Sequence, residues 1–144
     1  GTAVPMPVSE TLLTAAREAR PKAEGMVNAW SHGPRGAVGG NTVPGMWMMG
    51  ASIRLMERAA PEVLHNDLNA CNEYERGMDA AAATRCPALL VVGSRDMMTS
   101  PRGAPKLAAA MPDARIATVE GSGHALMAEY PDAVLDALRG FVQG

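Results

Sequence analysis

Asp96 and His124 are the residues whose types and surroundings could do chemistry. Asp96 closes Gly93-Ser94-Arg95-Asp96, ahead of Thr99-Ser100-Pro101, and His124 closes Gly121-Ser122-Gly123-His124. Each lies just beyond a segment that reads as a β-strand, and open α/β sheets take their ligands at the C-terminal ends of their strands. If the two strands are neighbours about 5 Å apart, the carboxylate and the imidazole can meet. One ring nitrogen then donates to Asp96 while the other stays free as a base, which is the orienting half of a hydrolytic triad. The glycines flanking Ser122 let the backbone turn sharply toward the sheet edge.

Each residue also has a plainer reading. Asp is common in turns and could cap the helix opening at Pro101, and a Gly-Ser-Gly stretch before a histidine can be an ordinary loop. The pairing at matched strand ends is what favours the chemical reading. Thr99 and Ser100 read as helix N-caps rather than nucleophiles. Ser122 lacks the setting of a nucleophile, and His32 and His65 read as structural or exposed.

The elements that must position the pair follow from periodicity. Ala88-Leu89-Leu90-Val91-Val92, between Pro87 and Gly93, is a continuous apolar run of the kind found in strands covered on both faces. Pro101 opens a helix through Met111, and Arg115-Ile116-Ala117-Thr118-Val119 forms a second, β-branched strand. Strand, helix, strand makes a parallel unit. A last helix starts at Pro131, with Val134, Ala137, Leu138 and Phe141 on its buried face. Upstream, residues 9 to about 84 read as helical. Ser9 caps a helix carrying Leu12, Leu13, Ala16 and Ala19, and Pro21 opens one carrying Met26, Val27 and Trp30. Ser31 to Gly45 reads as a loop. A third helix packs Met46, Met49, Ile53 and Met56, leaving Trp47 and Met48 directed elsewhere, a short fourth follows Pro61, and a fifth starts at Asp67 with Leu68, Cys71, Tyr74 and Met78. Thr2, Ala3 and Val4 before Pro5 look like the end of a strand that begins earlier. Two strands and a strand end cannot bury so much apolar surface, so further sheet is expected, from an N-terminal half of the same domain or from a second copy.

Composition removes several classes of function. With 144 residues, 47% of them hydrophobic, the chain can bury a core. A formal charge of −2 and no Lys/Arg cluster argue against a nucleic-acid partner. Cys71 and Cys86 have no metal-ligand spacing and read as reduced, no cofactor motif of the G-x-G-x-x-G or P-loop kind follows a strand, and no apolar run approaches the roughly 20 residues that cross a bilayer. A cytoplasmic protein without metal or cofactor is the expectation.

The runs P-A-L-L-V-V-G-S-R-D at 87 to 96, G-S-G-H at 121 to 124 and E-Y-P-D-A-V at 129 to 134 together resemble the end of the α/β-hydrolase fold. That resemblance implies a fold class: the C-terminal portion of a doubly wound α/β-hydrolase sheet with an all-helical cap insertion. Residues 1–8 would be the end of a core strand and a linker, 9–80 the cap, and 81–144 the C-terminal part of the core. Asp96 becomes the triad acid and His124 the general base, with substrate contacts on Trp30, Trp47, Met48, Met97 and Ala125. The Met-rich cap would cover an acyl or alkyl group. No G-x-S-x-G occurs in the 144 residues, and the chain order Ser, Asp, His of the family puts nucleophile and oxyanion hole upstream. The expected function is hydrolysis of small, mainly apolar esters or related carbonyl substrates by a longer protein, with this chain inert by itself. Two alternatives remain open: a non-catalytic ligand-binding or interaction protein of the same fold, and a dehalogenase or epoxide hydrolase with an upstream Asp nucleophile. Substrate identity and oligomeric state are not legible.

Overall fold

Ser9 precedes an acidic residue and a helical apolar stripe, and there the first helix starts. The structure, a computed structural model, describes residues 6–36, 40–41 and 45–144. The expected strand end at residues 2–4 lies outside them. Helix α1 (Glu10–Glu18) is capped by the Ser9 side chain, which accepts from the Leu12 N–H. Arg20-Pro21 opens α2 (Arg20–Ser31), where proline's fixed φ suits a first turn. Leu12, Leu13, Ala15 and Ala16 of α1 and Ala23 of α2 form one buried cluster with Leu68, and Met26, Val27, Trp30 and Leu64 pack around it.

Helix α3 (Met48–Glu57) begins two residues later than the pattern of Met46, Met49, Ile53 and Met56 suggests. Met48 is therefore buried, at 5% exposure, while Met46 and Trp47 precede the first turn and stand exposed. The expected assignment of Met46 to the packed face and Met48 to another is reversed. Nothing between Val63 and Asp67 breaks a helix, so α4 (Val63–Glu73) runs through Asp67 instead of starting there. Tyr74 terminates α4 and is exposed, and Met78 lies on a separate helix, α5 (Gly77–Ala82). The Ser31 to Gly45 stretch also differs: Ser31 closes α2, and Pro34–Gly36 form a 3-10 turn.

From residue 87 onward the periodicity is followed closely. Strand β1 (Ala88–Gly93) leads through a 3-10 turn at Pro101–Gly103 and α6 (Ala104–Ala110) to β2 (Ala114–Val119). The strands pair in parallel, from Ala88 opposite Ala114 to Gly93 opposite Val119, so their C-terminal ends are level. Leu90 and Val92 of β1, Ala104 and Leu107 of α6 and Ala81 of α5 form a second buried cluster, with Met78 beside it. Helix α5 thus packs with the strands rather than with the first four helices. A short α7 (Leu126–Glu129) follows the His124 loop, and α8 (Pro131–Gln143) closes the chain. Only Val134 of the expected α8 stripe is buried; Leu135, Leu138 and Val142 are exposed, as is Ile116 on β2. Among the described residues the sheet has two strands, too few to cover that stripe. No described helix is long and apolar enough to cross a membrane.

Leu107 packs at 7% exposure in the strand cluster, whereas Leu55 is 69% exposed on α3. Urea unfolding should show Leu107→Ala less stable by about 2–5 kcal/mol and Leu55→Ala within about 0.5 kcal/mol of the parent. Equal effects would contradict this placement of the core.

Candidate active site

Level strand ends bring two loops face to face, and backbone bonds fasten them together. Ser94 N–H donates to Val119 O at 3.1 Å, and Arg95 N–H to Ser122 O at 2.9 Å. The Ser94 hydroxyl accepts from Gly121 N–H at 2.8 Å. Gly121 sits at φ +80°, a left-handed conformation that a side chain resists. Gly123 passes so close to α2 that an added Cβ would lie 2.8 Å from Ser31 O and from the His32 carbonyl carbon.

These loops hold Asp96 and His124 in contact. His124 Nδ1 lies 2.9 Å from Asp96 Oδ2. The Asp96 side chain is nearly buried, at 6% exposure, while that of His124 is 41% exposed. Asp96 is an acceptor four times over. Its Oδ1 takes the N–H groups of Met98 and Thr99, each at 2.8 Å, and its Oδ2 takes the Thr99 hydroxyl at 2.8 Å besides the imidazole. Burial pushes the Asp96 carboxyl up, but the bonds from His124 and Thr99 outweigh it and hold the group below its ordinary value of 3.8. An ionised carboxylate can only accept, so Nδ1 carries a proton, and it is the neutral ring that keeps a lone pair on Nε2.

Thr99 has a role that sequence reasoning missed. It caps no helix: Ser100 caps the 3-10 turn, while the Thr99 hydroxyl bonds Asp96 and lies 3.3 Å from His124 Nδ1. The spacing D-x-x-T, which lets a short hydroxyl reach back to a turn carboxylate, was the available signal. Glu129 is a second residue without an expected role. It is 1% exposed, and its two carboxylate oxygens accept from Gly33 N–H at 2.9 Å and Gly123 N–H at 3.0 Å.

A cavity of about 400 Å³ opens beside the imidazole. Its lining includes Val8, Leu12, Trp30, Leu68, Met97, Met98 and His124. Of the candidate contacts, Trp30 and Met97 therefore reach it together with His124. Trp47, Met48 and Ala125 do not line it. The Trp47 indole lies against Gly50 of α3, Met48 turns into helix packing, and the Ala125 N–H is spent on Ser31 O at 2.9 Å. Among the described residues, no group of three or more His, Cys, Asp or Glu side chains could hold a metal ion.

Residues 63–144 match the model of a protein family described as TAP-like protein. No curated protein matches the chain. Similar solved structures include a thermophilic esterase from Thermogutta terrifontis, 19% identical at a TM-score of 0.77, covering 99% of this chain and 53% of that one. An esterase from Exiguobacterium antarcticum is 15% identical at TM-score 0.77, covering 94% and 47%. A bromoperoxidase from Bacillus anthracis is 16% identical at TM-score 0.77, covering 94% and 48%. At such identities the likeness shows the fold: this is the C-terminal portion of an α/β-hydrolase fold, and the chain spans about half the length of the solved structures it matches.

Thr99→Val removes one hydrogen bond from Asp96 and should raise its pKa, read from the carboxyl carbon resonance during an acid titration. A folded pKa below the unfolded one stabilises the fold above about pH 4, and that stability is lost as pH falls through the folded value. The stability lost with acid should therefore be smaller, and its loss complete at higher pH, in Thr99→Val than in the parent. An unmoved Asp96 titration would contradict the bonding described.

Proposed function

The chain belongs to the TAP-like protein family of α/β-hydrolases, and on that premise we propose that Asp96 and His124 are the acid and base of a serine hydrolase's catalytic triad. The observation that carries this reading is the 2.9 Å contact between His124 Nδ1 and Asp96 Oδ2, at the same rim of a parallel sheet and beside an apolar cavity. His124 Nε2 takes the proton of an attacking serine hydroxyl as that oxygen adds to the substrate carbonyl. It returns the proton to the leaving alcohol, and a second round with water frees the acid. Asp96 holds the tautomer and stabilises the imidazolium.

The nucleophile and the oxyanion donors come from a further segment that supplies the rest of the sheet. The uncovered Leu135, Leu138, Val142 and Ile116 support such a partner, since a parallel sheet is normally covered on both faces. In this reading the helices within residues 9–80 form a cap, and Trp30, Leu12 and Leu68 carry it over the site. The substrate class follows from the cavity: a volume of about 400 Å³ with walls of Val, Leu, Met and Trp suits a small acyl or alkyl group beside one polar centre. Two of the similar structures are named as esterases, and a small apolar ester is the substrate class we assign. A cytoplasmic setting suits the free thiols of Cys71 and Cys86.

Hydrolysis of short nitrophenyl esters by the longer protein tests this reading. His124→Ala should abolish turnover, and Asp96→Asn should lower it by about 10⁴-fold. The 144-residue chain alone should show no His124-dependent turnover. A loss below about tenfold in Asp96→Asn, or turnover by the chain alone that His124→Ala abolishes, would contradict the assignment.

A further inference from the structure

The backbone on either side of His124 is fastened to one short segment, the end of α2. Ala125 N–H donates to Ser31 O at 2.9 Å, and Gly123 N–H donates to Glu129 Oε1 at 3.0 Å. The other oxygen of the same carboxylate, Oε2, accepts from Gly33 N–H at 2.9 Å. Arg35 secures the far side of this arrangement, donating to Glu129 O at 3.2 Å while its guanidinium lies 4.3 Å over the Tyr130 ring.

We propose that Glu129 is a positioning residue for His124, clamping the His124 loop to the C-terminal end of α2. A carboxylate at 1% exposure is costly unless it is hydrogen-bonded, and both oxygens of Glu129 are. Chemistry explains why this residue is acidic. The two groups it joins are both N–H donors, so the joining side chain needs an acceptor at each end. Gln offers one acceptor and one donor, Asp is a methylene shorter, and an apolar residue offers neither. Glycine at both joined positions fits the same design: a Cβ at Gly33 would lie 2.8 Å from Glu129 Oε2, and one at Gly123 would press on Ser31 and His32. Trp30, adjacent to Ser31, lines the cavity, so the clamp sets the base and one cavity wall in a single frame. Catalytic geometry tolerates little displacement, and about 1 Å can cost about 10²-fold in rate.

The proposal rests on the reading of His124 as a base, but its test needs no turnover. Ring-nitrogen NMR of the whole ¹⁵N-labelled chain, at a pH where His124 is neutral, reports its tautomer. The parent should show one tautomer, protonated at Nδ1. Glu129→Gln should give a mixture of both tautomers, while the Met98 and Thr99 amides bonded to Asp96 keep their protection from exchange. A folded Glu129→Gln chain with the parent tautomer would overturn the clamp, because a merely structural carboxylate would lower the melting temperature without moving the ring. Should Glu129→Gln fail to fold, exchange in the parent decides. Gly33 and Gly123 amides opening with one shared denaturant dependence, together with loss of the single His124 tautomer, support the clamp, and independent openings overturn it. A longer protein that hydrolyses no ester would defeat the proposed function and leave this result standing.

Discussion

The hydrogen bond from the His124 imidazole to the Asp96 carboxylate exists because two parallel strands end level. Gly93 stands opposite Val119, Asp96 follows three residues after the first and His124 five after the second. A register slip by one residue would turn every strand side chain to the opposite face and carry the loops out of step. The cluster of Leu90, Val92, Ala104 and Leu107 that fixes the register is therefore also what fixes the distance between two polar side chains. Around the pair, hydrogen bonds are layered by purpose: His124 and Thr99 hold the Asp96 carboxyl below its ordinary value, Asp96 selects the ring tautomer, and the glycine loop brings the ring to the rim.

Much of this was legible in the sequence because local signals and tertiary demands agree after residue 87. The apolar run from Ala88, the β-branched second strand and the prolines at 101 and 131 each mark a boundary that packing then respects. Asp96 and His124 were legible for the same reason, since each follows a readable strand by a few residues. The helical half is less legible. Three methionines within four residues leave the helical phase undetermined, and the start of α3 at Met48 decides which of them is buried. Asp67 looks like a helix start only in isolation; inside α4 it is a solvent-facing residue of a continuous turn.

Thr99 carried a local signal in its spacing of three residues from Asp96, but Glu129 was illegible for a different reason. Its partner Gly33 lies 96 residues away in sequence. No periodicity encodes such a contact. The clue was present in composition, as a glutamate between Met127-Ala128 and Tyr130-Pro131, yet nothing local distinguishes a buried clamp from a surface charge. Helices α1, α2 and α4 share a buried core, and the end of α2 is also the surface against which the histidine loop is set.

The proposed reaction requires His124 to activate a nucleophile that another segment contributes. Labelling of the longer protein with a fluorophosphonate, followed by peptide mapping, tests that most directly. The label should fall on a single serine outside these 144 residues, and His124→Gln should suppress it by more than about a hundredfold, since the base is what makes the hydroxyl nucleophilic. Labelling that is absent in the parent, or equally strong without the imidazole, would contradict it.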